Sequence, residues 1–305
     1  MLKTTRKGNW MEMITPRVWE GKTIEDIFRT EWEVPKKLTH QFRMEHNVLV
    51  NGMKANWNNP LKNGDKVLIK LFEEAVPPIL LDFFYDIQVL YEDDHVIVFN
   101  KPANMSTHPN DENDKNTLLH AAQFHVQSYG EKVSVRQVHR LDKDTTGAIL
   151  FAKHALSGAI LDRMLEKHEI KRTYLAIVDG RIKKKKGKIC EPIGRDRHHA
   201  TRRRVSTSGQ AATTHYQVIK EEHDHSYVKC WLETGRTHQI RVHLSHIGHP
   251  LIGDTLYGGK PLFKRQALHA AKLEFTHPIT GENISCYAPF IDQPPIFKNI
   301  DVYSL

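Results

Sequence analysis

Cysteine is scarce in this sequence. Cys190, Cys230 and Cys286 are the three in 305 residues, far apart, odd in number and without a CxxC pair. That spacing argues against a disulfide framework or a thiolate zinc site, and all three read as small buried hydrophobes. Acidic residues are also in short supply, with 36 Asp and Glu against 44 Lys and Arg, a net charge of +8. Such a balance suits a polyanionic partner, because neutralising phosphates releases counterions. No apolar run approaches the roughly 18 residues needed to cross a bilayer. The opening "MLKTTRKGNWMEMITPR" is basic but lacks the apolar stretch of a secretory signal. A cytoplasmic protein with no membrane partner is expected. No internal repeat is present, and the only biased tract is the lysine run at 183–186.

What is present is enough for a real core: 39% of residues are hydrophobic and 26% charged, a globular balance. Residues 1–19 read as an N-terminal extension and 20–71 as a small α+β module. In "TIEDIFRTEW", Ile24, Ile27 and Phe28 have helical spacing and Thr23 can cap. A basic helical stretch with Lys36, Lys37 and Arg43 runs into a strand at Val48–Val50. Asn51-Gly52 and Asn63-Gly64 then signal tight turns. Residues 72–88, with Pro77-Pro78, read as a linker, 89–295 as a second domain and 296–305 as a C-terminal tail. In that second domain "VLYEDDHVIVFNKP" gives two strands around an acidic turn. "SVRQVHRL" and "GAILFAK" read as strands flanking a "DKDTT" turn, and "ALSGAILDRMLEKHEI" as a helix. In "KRTYLAIVDG", Tyr174, Ala176 and Val178 fall on one side of a strand and Leu175 and Ile177 on the other. "YVKCWLETG" is a further strand. "THQIRVHLSHIG" is a short helix capped by Thr237, buried through Ile240, Leu244 and Ile247, and ended by Gly248. Several strands with few βαβ units predict an α+β fold with a mixed, largely antiparallel central sheet flanked by helices.

The stretch most suited to chemistry is "HRLDKDTTG", residues 139–147. In an extended segment His139 and Leu141 point one way and Arg140 and Asp142 the other. Nearby cations would keep a carboxylate ionised. Equally, Asp142 or Asp144 could only be stabilising a turn. A second cluster, "LETGRTHQIRVHLSHIGHPLIGDTLYGG" (232–259), carries Arg236 before the short helix and Arg241 at the edge of its apolar stripe. From there a guanidinium could grip a carboxylate bidentately, or serve as a structural ion pair or phosphate contact. His238, His243, His246 and His249 invite a metal, but His238 and His243 point away from each other on a helix. The carboxylate of HExxH-type chemistry is also missing. No metal site is expected. Lysines 183–186 read as a solvated loop. Arg202 and Arg203, in "TRRR", are better phosphate contacts because arginine pairs bidentately.

Taken together, "NKPANMSTHP" (100–109), "HRLDKDTTGAILFAK" (139–153), "KRTYLAIVDG" (171–180) and residues 232–259 resemble the RluA-type pseudouridine synthases. The likeness holds in residues, order and approximate spacing, from about Val89 to Phe290. The "VNG" and "L..GD.V.I" of the first module resemble the small RNA-binding domain named after ribosomal protein S-four. The resemblance implies isomerisation of selected uridines in structured RNA to pseudouridine, without metal or organic cofactor. Ribosomal RNA of the large subunit is the first expectation and transfer RNA is possible, with the enzyme acting as a monomer. By the same resemblance Asp142 matches the catalytic aspartate, while Asp144 falls at a variable position. Tyr174 matches the active-site tyrosine, Arg241 the basic partner of the aspartate, and Arg140 the residue that fills the space left by the flipped uridine. His139, Arg236 and His238, beside these positions, are placed with Arg202 and Arg203 among the RNA contacts. The reaction breaks a ribose–nitrogen bond and rejoins the ring through carbon without hydrolysis. One ionised carboxylate in a dry site suits it better than the acid pair of a glycosidase.

Overall fold

The structure is a computed structural model that describes residues 2–72, 86–109, 111 and 114–305. The first sheet has five strands: β1 (Thr4–Lys7), β2 (Trp10–Ile14), β3 (Val48–Val50), β4 (Met53–Lys54) and β5 (Lys66–Lys70), in the order β1-β2-β5-β3-β4. The residues set apart as an extension, 1–19, thus supply two strands of this sheet, with β2 pairing antiparallel to β5. A helical segment, α1 (Ile24–Asp26), starts where Thr23 closes a capping box with Asp26 and continues as a wider π-type turn over Ile27–Glu31. Helix α2 (Lys36–Met44) follows, burying Thr39 and Phe42 and leaving Lys36, Lys37 and His40 exposed. Asn51 and Gly52 both have positive φ, as the hairpin turn between β3 and β4 requires. The core is aromatic: Phe28 meets Trp32, Phe42 and Trp57 edge to face, with centroids 4.9–5.4 Å apart.

Of the linker read at 72–88, residues 73–85 lie outside the described residues. Phe72 is buried, with the Arg6 guanidinium 4.0 Å over its ring. The second sheet is built from β6 (Val89–Glu92), β7 (Val96–Lys101), helix α3 (Leu118–Ser128), β8 (Arg136–Gln137), β9 (Thr146–Ala152), α4 (Ala155–Glu166), β10 (Lys171–Asp179) and β11 (Lys186–Ile189). It continues with β12 (Ile193–Arg195), β13 (Arg203–Val205), β14 (Thr214–Glu221), β15 (His225–Leu232), α5 (Gln239–His246), β16 (Leu268–Thr276) and β17 (Asn283–Tyr287). Ten of these strands form one sheet along β11-β14-β15-β10-β16-β9-β7-β6, with β17 on β16 and β8 on β9. Strands β12 and β13 form a separate hairpin. The β9–β16 pair is parallel and the other paired strands are antiparallel, as the expected α+β fold requires.

Alternation along β10 divides the core as the sequence predicts. Tyr174, Ala176 and Val178 enter the main apolar cluster, whereas Leu175 and Ile177 join a second one on the opposite face. That second cluster includes Ile296, Phe297 and Val302, so the segment read as a C-terminal tail closes one face of the sheet. The strand expected over "SVRQVHRL" stops at Gln137; Val138 N–H still donates to Leu150 O of β9 at 2.9 Å, and beyond it Leu141 bonds to the Thr107 side chain. Cys190 is exposed, contrary to the expectation of burial, while Cys230 and Cys286 are buried. The two sheets touch through Thr4 Oγ1 and His95 Nε2 at 3.3 Å, Arg6 with Glu131 at 3.2 Å, and the Glu33–Lys167 ion pair.

Candidate active site

Asp142 lies in the irregular segment between β8 and β9, at the start of a turn closed by Thr145 N–H donating to Asp142 O at 3.0 Å. Burial alternates as expected: His139 and Leu141 are inside, Arg140 is exposed and Asp142 is half-buried. Thr107 fixes the segment twice, its Oγ1 donating to Leu141 O at 2.9 Å and accepting from Leu141 N at 3.2 Å. Lys101, fully buried, donates through Nζ to Pro102 O, Met105 O and Lys143 O, each at 2.8 Å. Burial pushes the Lys101 pKa down to about 7. Asp144 ties its turn to a distant segment rather than bonding within the turn, its Oδ1 accepting from Asn104 N at 3.2 Å. The segment is anchored at its far end by Gly147, whose φ is 111° and whose absent Cβ would stand 2.3 Å from Ala270 O. Only glycine permits that approach of β9 to β16.

Arg241, on α5, reaches across to this segment. Its Nη1 donates to Asp142 Oδ2 at 2.9 Å, while Nε and Nη2 donate to Asp254 Oδ2 and Oδ1 at 2.7 and 2.9 Å. The bidentate grip expected of this arginine is therefore made with Asp254, and Asp142 receives a single charge-assisted bond. Burial opposes the Arg241 charge, but Asp254 and Asp142 outweigh it and raise its pKa. Tyr174 is 5% exposed in the wall of the same cleft, and burial raises the pKa of its phenol, with the Asp142 charge adding to the effect. Asp142, Tyr174, Arg241, Arg140, Arg236 and His238 all line one cleft of about 740 Å³.

The remaining expected site residues divide. His238, rather than Thr237, is the N-cap of α5, in a left-handed conformation with φ 58°. That twist turns its ring toward Asp142, with Nε2 3.9 Å from Oδ2, while Nδ1 lies 2.8 Å from the Tyr257 hydroxyl. Burial holds the His238 pKa below its usual value, against the pull of Asp142. Arg203 donates its backbone N–H to that same hydroxyl at 2.9 Å, and the Arg202 guanidinium lies 5.8 Å over the Tyr257 ring. The arginine run is thereby brought beside the site. Arg236 is exposed and donates through Nε to Ala211 O at 3.0 Å. His139 departs from its expected place among the RNA contacts. It is 7% exposed, its Nε2 accepts from Leu150 N at 3.3 Å, and burial pushes its pKa down to about 3. Its ring is neutral filling in the wall. His243 is likewise occupied, with Nδ1 2.9 Å from Thr214 Oγ1 and Nε2 2.9 Å from Glu191 O.

Asp254 and Tyr257 were not singled out by sequence reasoning, although both lie in the quoted "LIGDTLYGG". An Asp after Gly reads as a turn former. The signal that could have found it is the need of Arg241, buried on its helix, for a second carboxylate.

A profile for RNA pseudouridylate synthases matches residues 95–246, and one for the RluD ribosomal pseudouridine synthase N-terminal domain matches residues 11–67. The uncharacterized RNA pseudouridine synthase YhcT of Bacillus subtilis is 45% identical over 298 residues, covering 97% of each chain. Ribosomal large subunit pseudouridine synthase D of Haemophilus influenzae is 42% identical over 224 residues, covering 68% of each. Among solved structures, human RNA pseudouridylate synthase domain containing 1 superposes with a TM-score of 0.57 at 25% identity, over 70% of this chain and 87% of that one. On these matches and on the site they enclose, the chain belongs to the RluA-type family of RNA pseudouridine synthases.

Proposed function

We propose that this enzyme isomerises uridines of large-subunit ribosomal RNA in the cytoplasm, as a monomer, with Asp142 as its reacting carboxylate. The observation that carries the assignment of Asp142 is the Asp142–Arg241–Asp254 bridge at the floor of the cleft. A carboxylate held by a guanidinium is aimed, as both nucleophilic attack and removal of a ribose proton demand. Tyr174 gives the uracil a flat apolar face and a phenol for the last proton transfer. The Tyr257 hydroxyl accepts from Arg203 N–H and hydrogen-bonds His238 Nδ1, which fixes the imidazole beside Asp142. Arg140, exposed at the mouth, is placed to fill the stack once the base has left it. A hydrolytic glycosidase would need a second free acid. Asp254 is near but has both oxygens committed to Arg241 and is 2% exposed. The name of the Haemophilus relative supports a ribosomal target over transfer RNA. The five-stranded module, with its basic α2, supplies further RNA grip.

The test is release of tritium from RNA labelled at uridine C5. Wild-type protein releases it, and Asp142→Asn folds and binds RNA but is inactive, a loss of at least about 10³-fold in keeping with removal of a covalent or acid–base group. Activity surviving in Asp142→Asn would sink the assignment. A pseudouridine map of total RNA from wild-type and deletion cells then identifies the modified positions.

A further inference from the structure

Arg172 is the residue the site leaves unexplained. It sits on β10 two positions before Tyr174, on the same face, and lines the same cleft. It is 8% exposed, and its Nε is buried with no hydrogen-bond partner. The guanidinium rests against Gly235 of the "TGRTH" segment, where an added Cβ would stand 3.0 Å from Nη1. Among the described residues no carboxylate answers its charge. The acids that line the cleft are taken: Asp162 by Arg136, Glu166 by Arg163, Glu233 by His215 and Lys188, and Asp142 by Arg241. A cation nine-tenths withdrawn from water and left unpaired costs stability. It persists where an incoming ligand supplies the counter-charge.

We propose that Arg172 binds a backbone phosphodiester flanking the flipped uridine, forming an anion site beside Tyr174. The inference rests on the reading of this cleft as the uridine site. The uracil ring offers only neutral carbonyls, which would leave the guanidinium uncompensated, whereas a phosphodiester carries a full charge on two non-bridging oxygens that the arginine fork can grip together. A flipped nucleotide also brings its own phosphates to the cleft. Arg140 at the mouth and Arg172 in the wall thus act at different depths, one in the vacated stack and one on the backbone of the extruded nucleotide.

The experiment compares full-length wild type, Arg172→Gln and Arg172→Lys on a large-subunit ribosomal RNA transcript tritiated at uridine C5. It reads KM, kcat and RNA affinity over a series of KCl concentrations, and the Tm of each protein without RNA. Arg172→Gln is expected to raise KM roughly 10- to 100-fold, the worth of a hydrogen bond to a charged group, with kcat little changed. The slope of log affinity against log salt becomes shallower by about 0.7 to 0.9, one phosphate contact. Arg172→Lys restores the slope but only part of KM. Without RNA, Arg172→Gln melts at or above the wild-type temperature, because an uncompensated charge has gone. A fall in Tm or failure to fold would instead make Arg172 a structural arginine and overturn the proposal. So would a drop in kcat with KM and salt slope unchanged, the mark of a contact to the base. No tritium release by wild type on any RNA would count against the activity reading; the salt slopes from binding would still judge Arg172.

Discussion

The guanidinium of Arg241 is shared unequally, two nitrogens to Asp254 and one to Asp142. Asp254 therefore determines where the arginine points, and Asp142 is positioned at second hand. Asp254→Ala is expected to cost about 3–5 kcal/mol, because it strips one partner from a buried charge. It should also lower turnover by at least about 10²-fold, as small misplacements near reacting groups do. Urea unfolding and tritium release measure the two losses separately; a variant with wild-type values for both would show that Asp142 alone aligns the arginine. Arg241→Lys would fare little better, since a point charge cannot span two carboxylates. At this scale the resemblance picked out Asp142, Tyr174 and Arg241, which line one cleft, where spacing alone left Asp142 and Asp144 on equal terms. The sequence was not legible for Asp254 or Arg172. An aspartate in a glycine-rich turn and an arginine in a strand look ordinary until tertiary contacts show one fully engaged and the other without a partner. His139 shows the converse: alternation sets it on the side of Leu141 and its ring is buried, whereas its place in the motif puts it among the RNA contacts.

Between β8 and β9 the chain has little ladder to rest on, and its order comes from the side chains that bind it. Thr107 satisfies both backbone groups of Leu141, and Lys101 gathers three carbonyls, one of them from Lys143 beside the candidate aspartate. Thr107→Val keeps the shape but removes the hydroxyl, leaving a buried N–H and C=O unpaired at about 1–3 kcal/mol. Turnover should fall more than substrate affinity, because the segment carrying Asp142 loosens while the RNA surface is intact. Steady-state kinetics checks this, and equal effects on kcat and KM would contradict it. Element prediction succeeded where period and burial agree, as in β10, whose alternating sides enter two separate cores. It missed β1 and β2 because "TTRKGNWMEMI" mixes charge with methionine, and β1 is half-buried at most. The α5 cap was displaced by one residue because the turn needs a left-handed residue, which His238 provides and a β-branched Thr237 resists.

Across the whole molecule, histidine is used as core material. Burial pushes the pKa of His95 to about 4, His139 to about 3 and His269 to about 4, from an ordinary 6.5, and lowers that of His154 strongly. An unfolded chain binds protons at these sites near pH 6 while the native chain does not. Stability from neutral histidines is thus present above about pH 6.5 and is lost as pH falls toward 4, each shifted unit being worth about 1.4 kcal/mol. Calorimetry should record a Tm that declines steadily from pH 6.5 to 4; a flat profile would show these rings already charged in the native state. The sheet order carries another consequence. Strands β9 and β10 are close in sequence, yet β16 separates them, pairing parallel with the first and antiparallel with the second. A chain emerging from the ribosome holds Asp142 and Tyr174 on either side of an open slot until residues 268–276 arrive. Each nascent copy therefore passes through synthesis with two unsealed strand edges, prone to misassembly, and gains a complete site only when its last long strand slides into place.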